Sequence, residues 1–430
     1  MKLSIAAGLF MIATTVASVP MVTPPNFMDG TVAPLYASAD VESVNDAYIV
    51  VLKNSLDQEK LNQHTNWVQT LASEQRQGMM DNWLRPDSFG IRHVYDMPNL
   101  KGYAGRFGRE ALQFIRRSED VAFVEKDSLV YTSELQRSAP WGLARISHRK
   151  RLSFNNFNKY EYEVDGGKDI KVYVIDTGIN VEHVDFEGRA SWGETIPTGD
   201  DDEDGNGHGS HCAGTIAGKK YGVAKHAHPV AVKVLRSNGS GTMSDVVRGV
   251  DWATSQHIKD AAAAKKAGKV FKGSVANMSL GGGKSPSLDL AINGAVDTGM
   301  VFAVAAGNDN SDACDYSPAA AESAITVGAS TLYDDRAYFS NYGPCVDIFA
   351  PGLNIESVWK GNKYATNTIS GTSMASPHVA GLAAYLLSLS DDPMSPKEVK
   401  DLIIELSTQD RLAGVPEDTP NLLAYNGIRA

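Results

Sequence analysis

Lys171-Val172-Tyr173-Val174-Ile175-Asp176-Thr177-Gly178 is the stretch from which the fold can be read. Four apolar residues in a row describe a buried strand, and the strand ends on a carboxylate followed by a turn. Strands and helices alternate beyond it. Helices are expected over Gly209–Ala217, Ser244–Ala264 and Ser287–Thr298, and strands over Val230–Leu235, Ala276–Leu280 and Met300–Ala305. Such alternation implies an α/β unit, a mainly parallel sheet flanked by helices. Reactive groups in such sheets gather at the carboxyl ends of strands. Asp176 ends its strand, and Asn308 lies just past another.

The chain ahead of this unit is patterned differently. A strand at Ala47–Lys53 precedes a helix with Leu61, Thr65, Val68 and Leu71 at helical spacing. Strands at Ile91–Tyr95 and Gly102–Phe107, a helix over Arg109–Arg117 and a strand at Val121–Glu125 complete a β-α-β-β-α-β order. That is a small ferredoxin-like α+β domain over residues 47–133, with no catalytic cluster of its own. Ser138-Ala139-Pro140-Trp141-Gly142 breaks the pattern, and the second unit is taken as residues 134–430. Residues 19–46, rich in Pro, Thr, Ser and Ala, read as a linker. Lys2 followed by an apolar run from Leu3 to about Val16, with small residues at Ala17 and Ser18, reads as a signal peptide over residues 1–18.

The whole chain has 430 residues, 43% hydrophobic and 21% charged, which is globular in character. Its formal net charge of −11 speaks against nonspecific nucleic-acid binding and gives no support for a basic membrane-binding surface. No internal apolar run is long enough to span a membrane. Three cysteines in a secretory compartment suggest one disulfide and one free thiol.

Three further stretches could carry chemistry. Ile369-Ser370-Gly371-Thr372-Ser373-Met374-Ala375-Ser376-Pro377-His378 reads as a turn running into a buried helix, with Pro377 in its first turn. A serine at a helix N-terminus lies where free N–H groups and the dipole favour developing negative charge. Asp204-Gly205-Asn206-Gly207-His208-Gly209-Ser210-His211-Cys212 sets glycines on both sides of His208, so its ring could reach a cleft. Ala305-Ala306-Gly307-Asn308 offers a carboxamide N–H past a strand, suited to an oxyanion. The chain order is Asp176, His208, Ser373. Among serine hydrolases that order is the subtilisin one.

At these residues the sequence resembles the subtilisin-like serine proteases, within them the proteinase K subgroup, and there the fungal vacuolar (cerevisin-like) branch. The similarity runs from Ser138-Ala139-Pro140-Trp141-Gly142 through Ala231–Asp245 to Pro416-Glu417-Asp418-Thr419-Pro420-Asn421, essentially all of the second unit. The resemblance implies a serine endopeptidase of broad specificity, made as a zymogen and working through an acyl-enzyme. Ser373 would be the nucleophile, His208 the base, Asp176 its orienting partner, and Asn308 with the Ser373 N–H the oxyanion hole. Gly239-Ser240-Gly241 and Ser279-Leu280-Gly281 match the two substrate-binding edges, which would pair with an extended peptide. Small residues beside the first pocket suit bulky apolar side chains before the scissile bond. Ser210 stands where the family usually has threonine.

The first unit resembles the inhibitor-like propeptide of these enzymes, an intramolecular chaperone and inhibitor released by cleavage near Ser133–Glu134. The resemblance also pairs Cys314 with Cys345, leaves Cys212 as a thiol beneath the histidine, and assigns a structural calcium to Asp347 with the carbonyls of Glu322 and Ala324. No cofactor is expected in catalysis. The partners expected are protein and peptide substrates, with no nucleic acid or membrane, for a monomer entering the secretory pathway. The vacuole is favoured as destination, with the extracellular space as the alternative.

Other signals compete. Asp200–Asp204 imitates a calcium loop, but its twelfth position is His211 rather than Glu, so it reads as a solvated loop. Gly281-Gly282-Gly283-Lys284-Ser285 imitates a phosphate loop but has Met278 where its first glycine must stand. Cys212 near His208 and His211 lacks the second cluster that zinc needs. Asp-Thr-Gly occurs at Asp176 and again at Asp297, which raises an aspartic protease; Asp297, however, ends a helical pattern. A non-catalytic protein of the same fold is the rival outside enzymology. Asn238 and Asn277 are glycosylation sequons, Asn277 inside an expected buried strand.

Overall fold

Tyr48, Val50 and Leu52 alternate with Ile49 and Val51, so one face of their strand must be covered. The computed structural model describes residues 32–37, 43–78, 89–128 and 133–428, which form two units, 1–131 and 132–430. Residues 1–18, read from the sequence as a signal peptide, lie outside the described residues, as does part of the stretch read as a linker. In the first unit β1 (Leu35–Tyr36), β2 (Ser43–Leu52), α1 (Gln58–Gly78), β3 (Gly90–Met97), β4 (Leu100–Arg106), α2 (Arg109–Arg117) and β5 (Val121–Ser128) make a five-stranded sheet in the order β1-β5-β2-β4-β3. Its helices cover one face: Leu61 and Val68 of α1 and Leu112 and Ile115 of α2 share a core with Tyr48, Val50 and Leu52. The β-α-β-β-α-β order is as expected, with one addition. Residues 32–37, read as linker, run beside β5, where Leu35 registers with Val124. Tyr36 packs edge-on against Phe123, and Ala33 exchanges bonds with Arg116. β2 likewise begins at Ser43 rather than Ala47.

The second unit contains, in order, β6 (Ser133–Arg137), α3 (Trp141–Ile146), β7 (Lys159–Glu163), β8 (Lys171–Asp176), β9 (Ser191–Thr195), α4 (His208–Ala217) and β10 (His228–Lys233). Then come α5 (Met243–Lys266), β11 (Val275–Met278), β12 (Gly282–Gly283), α6 (Pro286–Asp297), β13 (Val301–Ala305), β14 (Tyr316–Ser317) and β15 (Ile325–Ser330). The unit closes with β16 (Ile348–Pro351), β17 (Ile355–Val358), β18 (Thr366–Ile369), α7 (Thr372–Leu389), α8 (Pro396–Leu406), β19 (Thr408–Gln409) and β20 (Leu422–Leu423). Nine of these strands form one sheet, β19-β20-β16-β15-β13-β11-β8-β10-β9, parallel except where β19 meets β20.

β8 shows why the sheet needs two covers. Val172 and Val174 point into a core shared with α4 and α7, while Tyr173 and Ile175 join α5 and α6 on the other face. β8 lies between β10 and β11, where successive connections change sides, so its carboxyl end opens into a crevice. Helix ends are chemically specified. Thr242 accepts from Asp245 N–H at the start of α5, and Ser285 followed by Pro286 starts α6. Asp297 closes α6 ahead of Gly299 at φ 103°, so the second Asp-Thr-Gly is a helix end, not half of a carboxylate dyad. Among the described residues no helix is long and apolar enough to cross a membrane.

Arg145 of α3 is fully buried, and its guanidinium meets Asp334 through Nε (2.6 Å) and Nη2 (3.3 Å). A buried charge that loses its partner is costly, about 3–5 kcal/mol. Asp334→Ala is therefore expected to lower the urea midpoint by that equivalent at unchanged slope. A midpoint shift below about 1 kcal/mol would show that the pair carries little.

Candidate active site

Asp176 is fully buried at the end of β8, and donors surround it. Its Oδ1 accepts from Thr177 N–H and from His208 Nδ1, both at 2.8 Å, and Oδ2 lies 3.0 Å from the same Nδ1. His208 opens α4, behind Gly207 at φ 104°. A Cβ at Gly207 would fall 2.5 Å from the Trp359 ring, and one at Gly209 would fall 2.2 Å from the Gly178 carbonyl. The glycines around His208 therefore let α4 seat directly against the turn after β8.

Asp204 anchors that helix start. Its Oδ1 accepts from the Thr177 hydroxyl (2.8 Å), Asn206 N–H (3.1 Å) and Gly207 N–H (2.8 Å), and its Oδ2 from the N–H (2.9 Å) and hydroxyl of Ser210 (2.5 Å). The expectation of a solvated acidic loop fails at this residue: Asp204 is buried because the first N–H groups of α4 need an acceptor. Ser210, the departure from the family pattern, also accepts from Asn180 N–H, so the shorter side chain still bridges the two loops.

Burial by itself would lower the pKa of His208. The adjoining Asp176 carboxylate, by charge and hydrogen bond, and Asp204 at longer range outweigh it, and the net direction is upward. Neighbouring histidines go the other way: burial pushes His211 down to about 3 and His378 to about 4. Cys212 is a buried free thiol whose pKa burial raises, and its Sγ faces the Ser373 carbonyl at 3.4 Å. The ligand atoms of Asp176, His208 and Cys212 lie within 4.8 Å of one another. A protonated thiol and an Nδ1 already held by Asp176 do not make a zinc site.

Ser373 sits at the second residue of α7. The helix begins at Thr372, so Pro377 lies in the second turn rather than the first. The displacement has a consequence for Ser373. Residue 377 is the one whose N–H would close the helical bond to the Ser373 carbonyl, and proline has none. That carbonyl accepts instead from the Ser279 hydroxyl at 2.8 Å, while the Ser373 hydroxyl donates to the Ser279 carbonyl at 2.9 Å. Asn277 in β11 steadies the exchange, donating to Ser279 Oγ and accepting from Ser376 Oγ, both at 2.9 Å. Asn277 is fully buried, which closes its sequon in the folded protein; Asn238 is exposed.

Asn308 is held by its oxygen. Oδ1 accepts from the N–H (2.8 Å) and hydroxyl (2.9 Å) of Thr372, leaving Nδ2 without a partner among the described residues. Asn341, buried, shapes the loop by accepting from Asp309 and Ser311 N–H and donating to Ala306 O. Farther along, Cys314 and Cys345 are joined, Cα atoms 5.3 Å apart. The segments Gly239-Ser240-Gly241 and Ser279-Leu280-Gly281 line one groove of about 480 Å³ together with His208, Leu235, Met243 and Val246. The expected calcium set is filled differently. Lys400 Nζ lies 2.9 Å from Asp347 Oδ2, 2.7 Å from Ala324 O and 3.3 Å from Glu322 O. With an ammonium already among these three oxygens, the residues present do not fit a calcium ion.

Sequence reasoning missed Asn277, Asp204, Asn341 and Thr372 as positioning residues. A polar residue inside Val275-Ala276-Asn277-Met278 was the one usable signal, and it was read only as a sequon.

Comparisons with known proteins point to one family. A model of the subtilase family matches residues 167–419, and one of the peptidase inhibitor I9 family matches residues 47–133. The subtilisin-like serine protease Pen c 2 of Penicillium citrinum is 59% identical over 415 residues, covering 92% of this chain and 91% of that one. Alkaline protease 2 of Aspergillus fumigatus is 55% identical over 440 residues, covering 98% and 88%. The crystal structure of a cold adapted subtilisin-like serine proteinase superposes with a TM-score of 0.61 at 43% identity, over 68% of this chain and all of that one.

The upward direction for His208 is testable directly. Its ring should titrate by NMR with a midpoint above the ordinary value of about 6.5. Asp176→Asn should bring the midpoint down, below the parent's. An unchanged midpoint in the variant would show that Asp176 does not set it.

Proposed function

The chain belongs to the subtilase family of serine proteases, with an I9 inhibitor propeptide ahead of the protease unit, and from that premise we propose which residues do its chemistry. Ser373 is the nucleophile, His208 the general base and then acid, and Asp176 the group that holds His208 with Nδ1 protonated and Nε2 facing the serine. The bonds from His208 Nδ1 to both oxygens of buried Asp176 carry this reading. Before attack the Ser373 hydroxyl leaves the Ser279 carbonyl and donates to Nε2. The oxygen then bonds to the scissile carbonyl carbon as its proton passes to Nε2. The negative charge moves to the former carbonyl oxygen, where Asn308 Nδ2 and the Ser373 N–H donate to it. Collapse expels the amine, which takes the proton from Nε2 and leaves an acyl-serine. Water repeats the sequence and releases the acid.

Gly239–Gly241 and Ser279–Gly281 are the edges that hold the substrate as an added strand. The groove they line, with Leu235, Met243 and Val246, suits apolar or aromatic side chains and supports broad specificity. The zymogen matures by cleavage near Ser133–Glu134, a reading supported by the division of the two units at 131/132 and the end of the inhibitor match at 133. We place the mature enzyme, a monomer, in the secretory pathway, with the vacuole favoured over the extracellular space.

Ser373→Ala, made in a host without related proteases, should remain full length by intact mass and fail to react with a fluorophosphonate, whereas the parent is cut near residue 133 and labelled. Equal processing of both would assign maturation to another protease. A parent chain that neither matures nor labels would remove the assignment of Ser373. In the mature enzyme Asn308→Ala should reduce kcat about 10²–10³-fold with little change in KM. A loss confined to KM would place Asn308 in substrate binding instead.

A further inference from the structure

We propose that Lys400 is a built-in cation: its ammonium takes the place of calcium among Asp347, Ala324 and Glu322, and makes this corner of the fold independent of free calcium. The donor set is one a hard cation would choose, a carboxylate and two peptide carbonyls. It holds Nζ at 2.9, 2.7 and 3.3 Å. An ammonium has three protons, and here three oxygens receive them. The geometry is built from both sides. On the strand side, Asp347 N–H donates to the Thr326 carbonyl and Thr326 N–H returns to Asp347 Oδ2, both at 2.9 Å, so the carboxylate is fixed before any cation arrives. On the helix side, α8 starts in a capping box of Ser395 and Glu398 and is anchored by buried Val399 and Ile403. Lys400 follows Val399 directly, so its position is set by the helix. Its side chain is one-fifth exposed, and that of Asp347 about the same.

Charge and connectivity then decide the competition. The single carboxylate is already neutralised, and a calcium ion entering at about 2.3–2.6 Å from the same oxygens would have to expel the ammonium. A bound ion stabilises a fold by an amount that depends on its free concentration, whereas a tethered ammonium is always present. Lys400 therefore clamps α8 to the Glu322–Ala324 turn and to Asp347 without an external ligand.

The test counts calcium and follows melting in the full chain carrying Ser373→Ala, which prevents self-digestion. By calorimetric titration with calcium to about 10 mM, Lys400→Ala should bind one ion more per chain than its parent. The gain should vanish when Asp347→Asn is added. In EDTA, Lys400→Ala should melt about 5 °C or more below the parent, and calcium should restore part of the loss. The parent should bind the same number of ions with Asp347 or Asn at 347. The proposal is overturned if the parent loses an ion on Asp347→Asn, if Lys400→Ala gains none, or if calcium leaves its melting unchanged. Lys400→Ser, which removes the ammonium and leaves a polar side chain too short to enter the site, is measured alongside. If neither variant folds even in calcium, the ion does not substitute for the ammonium and the proposal falls.

Discussion

A carboxylate with no access to water has to be met by donors, and much of the second unit is arranged around doing so for Asp176. The sheet delivers it to the carboxyl end of β8, where the strand order leaves a crevice. The nearest N–H, from Thr177, takes one lone pair, and the remaining direction is given to His208. For the ring to arrive, α4 must begin within hydrogen-bonding reach of the strand end, which Gly207 and Gly209 permit. Asp204 then repeats the device one layer away, a second buried carboxylate satisfied by the first turn of the same helix. The two acids both bond to the first residues of one helix, and His208 is placed by both.

Ser373 depends on a different kind of constraint, a bond that is missing. Because Pro377 has no N–H, the carbonyl of Ser373 is free for a partner outside α7, and Ser279 supplies it. The exchange of hydroxyls and carbonyls between Ser279 and Ser373 joins the peptide of the proposed nucleophile to a segment that also lines the groove. The Ser373 side chain and the chain edge beside it are in this way registered to one another through two short bonds.

How much of this the sequence disclosed varies with the range of the interaction. The helices over Arg109–Arg117 and Pro286–Asp297 and the strand Lys171–Asp176 follow from local periodicity and end signals, and were legible to within a residue or so. β15 and β16 were not read because their partners are distant in sequence, and the β17–β18 hairpin was not read because four-residue strands offer too few positions for an alternating pattern to show. Asp176, His208, Ser373 and Asn308 stood out because their flanking residues are unusual as well as their own types. Asp204 and Asn341 were invisible for the opposite reason: their work is to accept and donate backbone bonds, which any Asp or Asn could do. The calcium expectation rested on Asp347 and two carbonyls that are present as expected; Lys400, more than fifty residues from Asp347 in sequence, sets its ammonium among them.

The burial of Asn277 bears on the order of events in the life of the chain. Asn277-Met278-Ser279 is a glycan acceptor while the polypeptide is extended and ceases to be one when β11 enters the sheet. A sugar attached beforehand could not be housed between Ser279 and Ser376, and the strand carrying it would be barred from its neighbours β8 and β13. In any compartment with oligosaccharide-transferring enzymes, the chain is thus in a race between two competing fates. An error there is not decoration on a finished molecule but a dead end reached before the molecule exists. Whatever hastens sheet closure narrows the time window in which that error can be made.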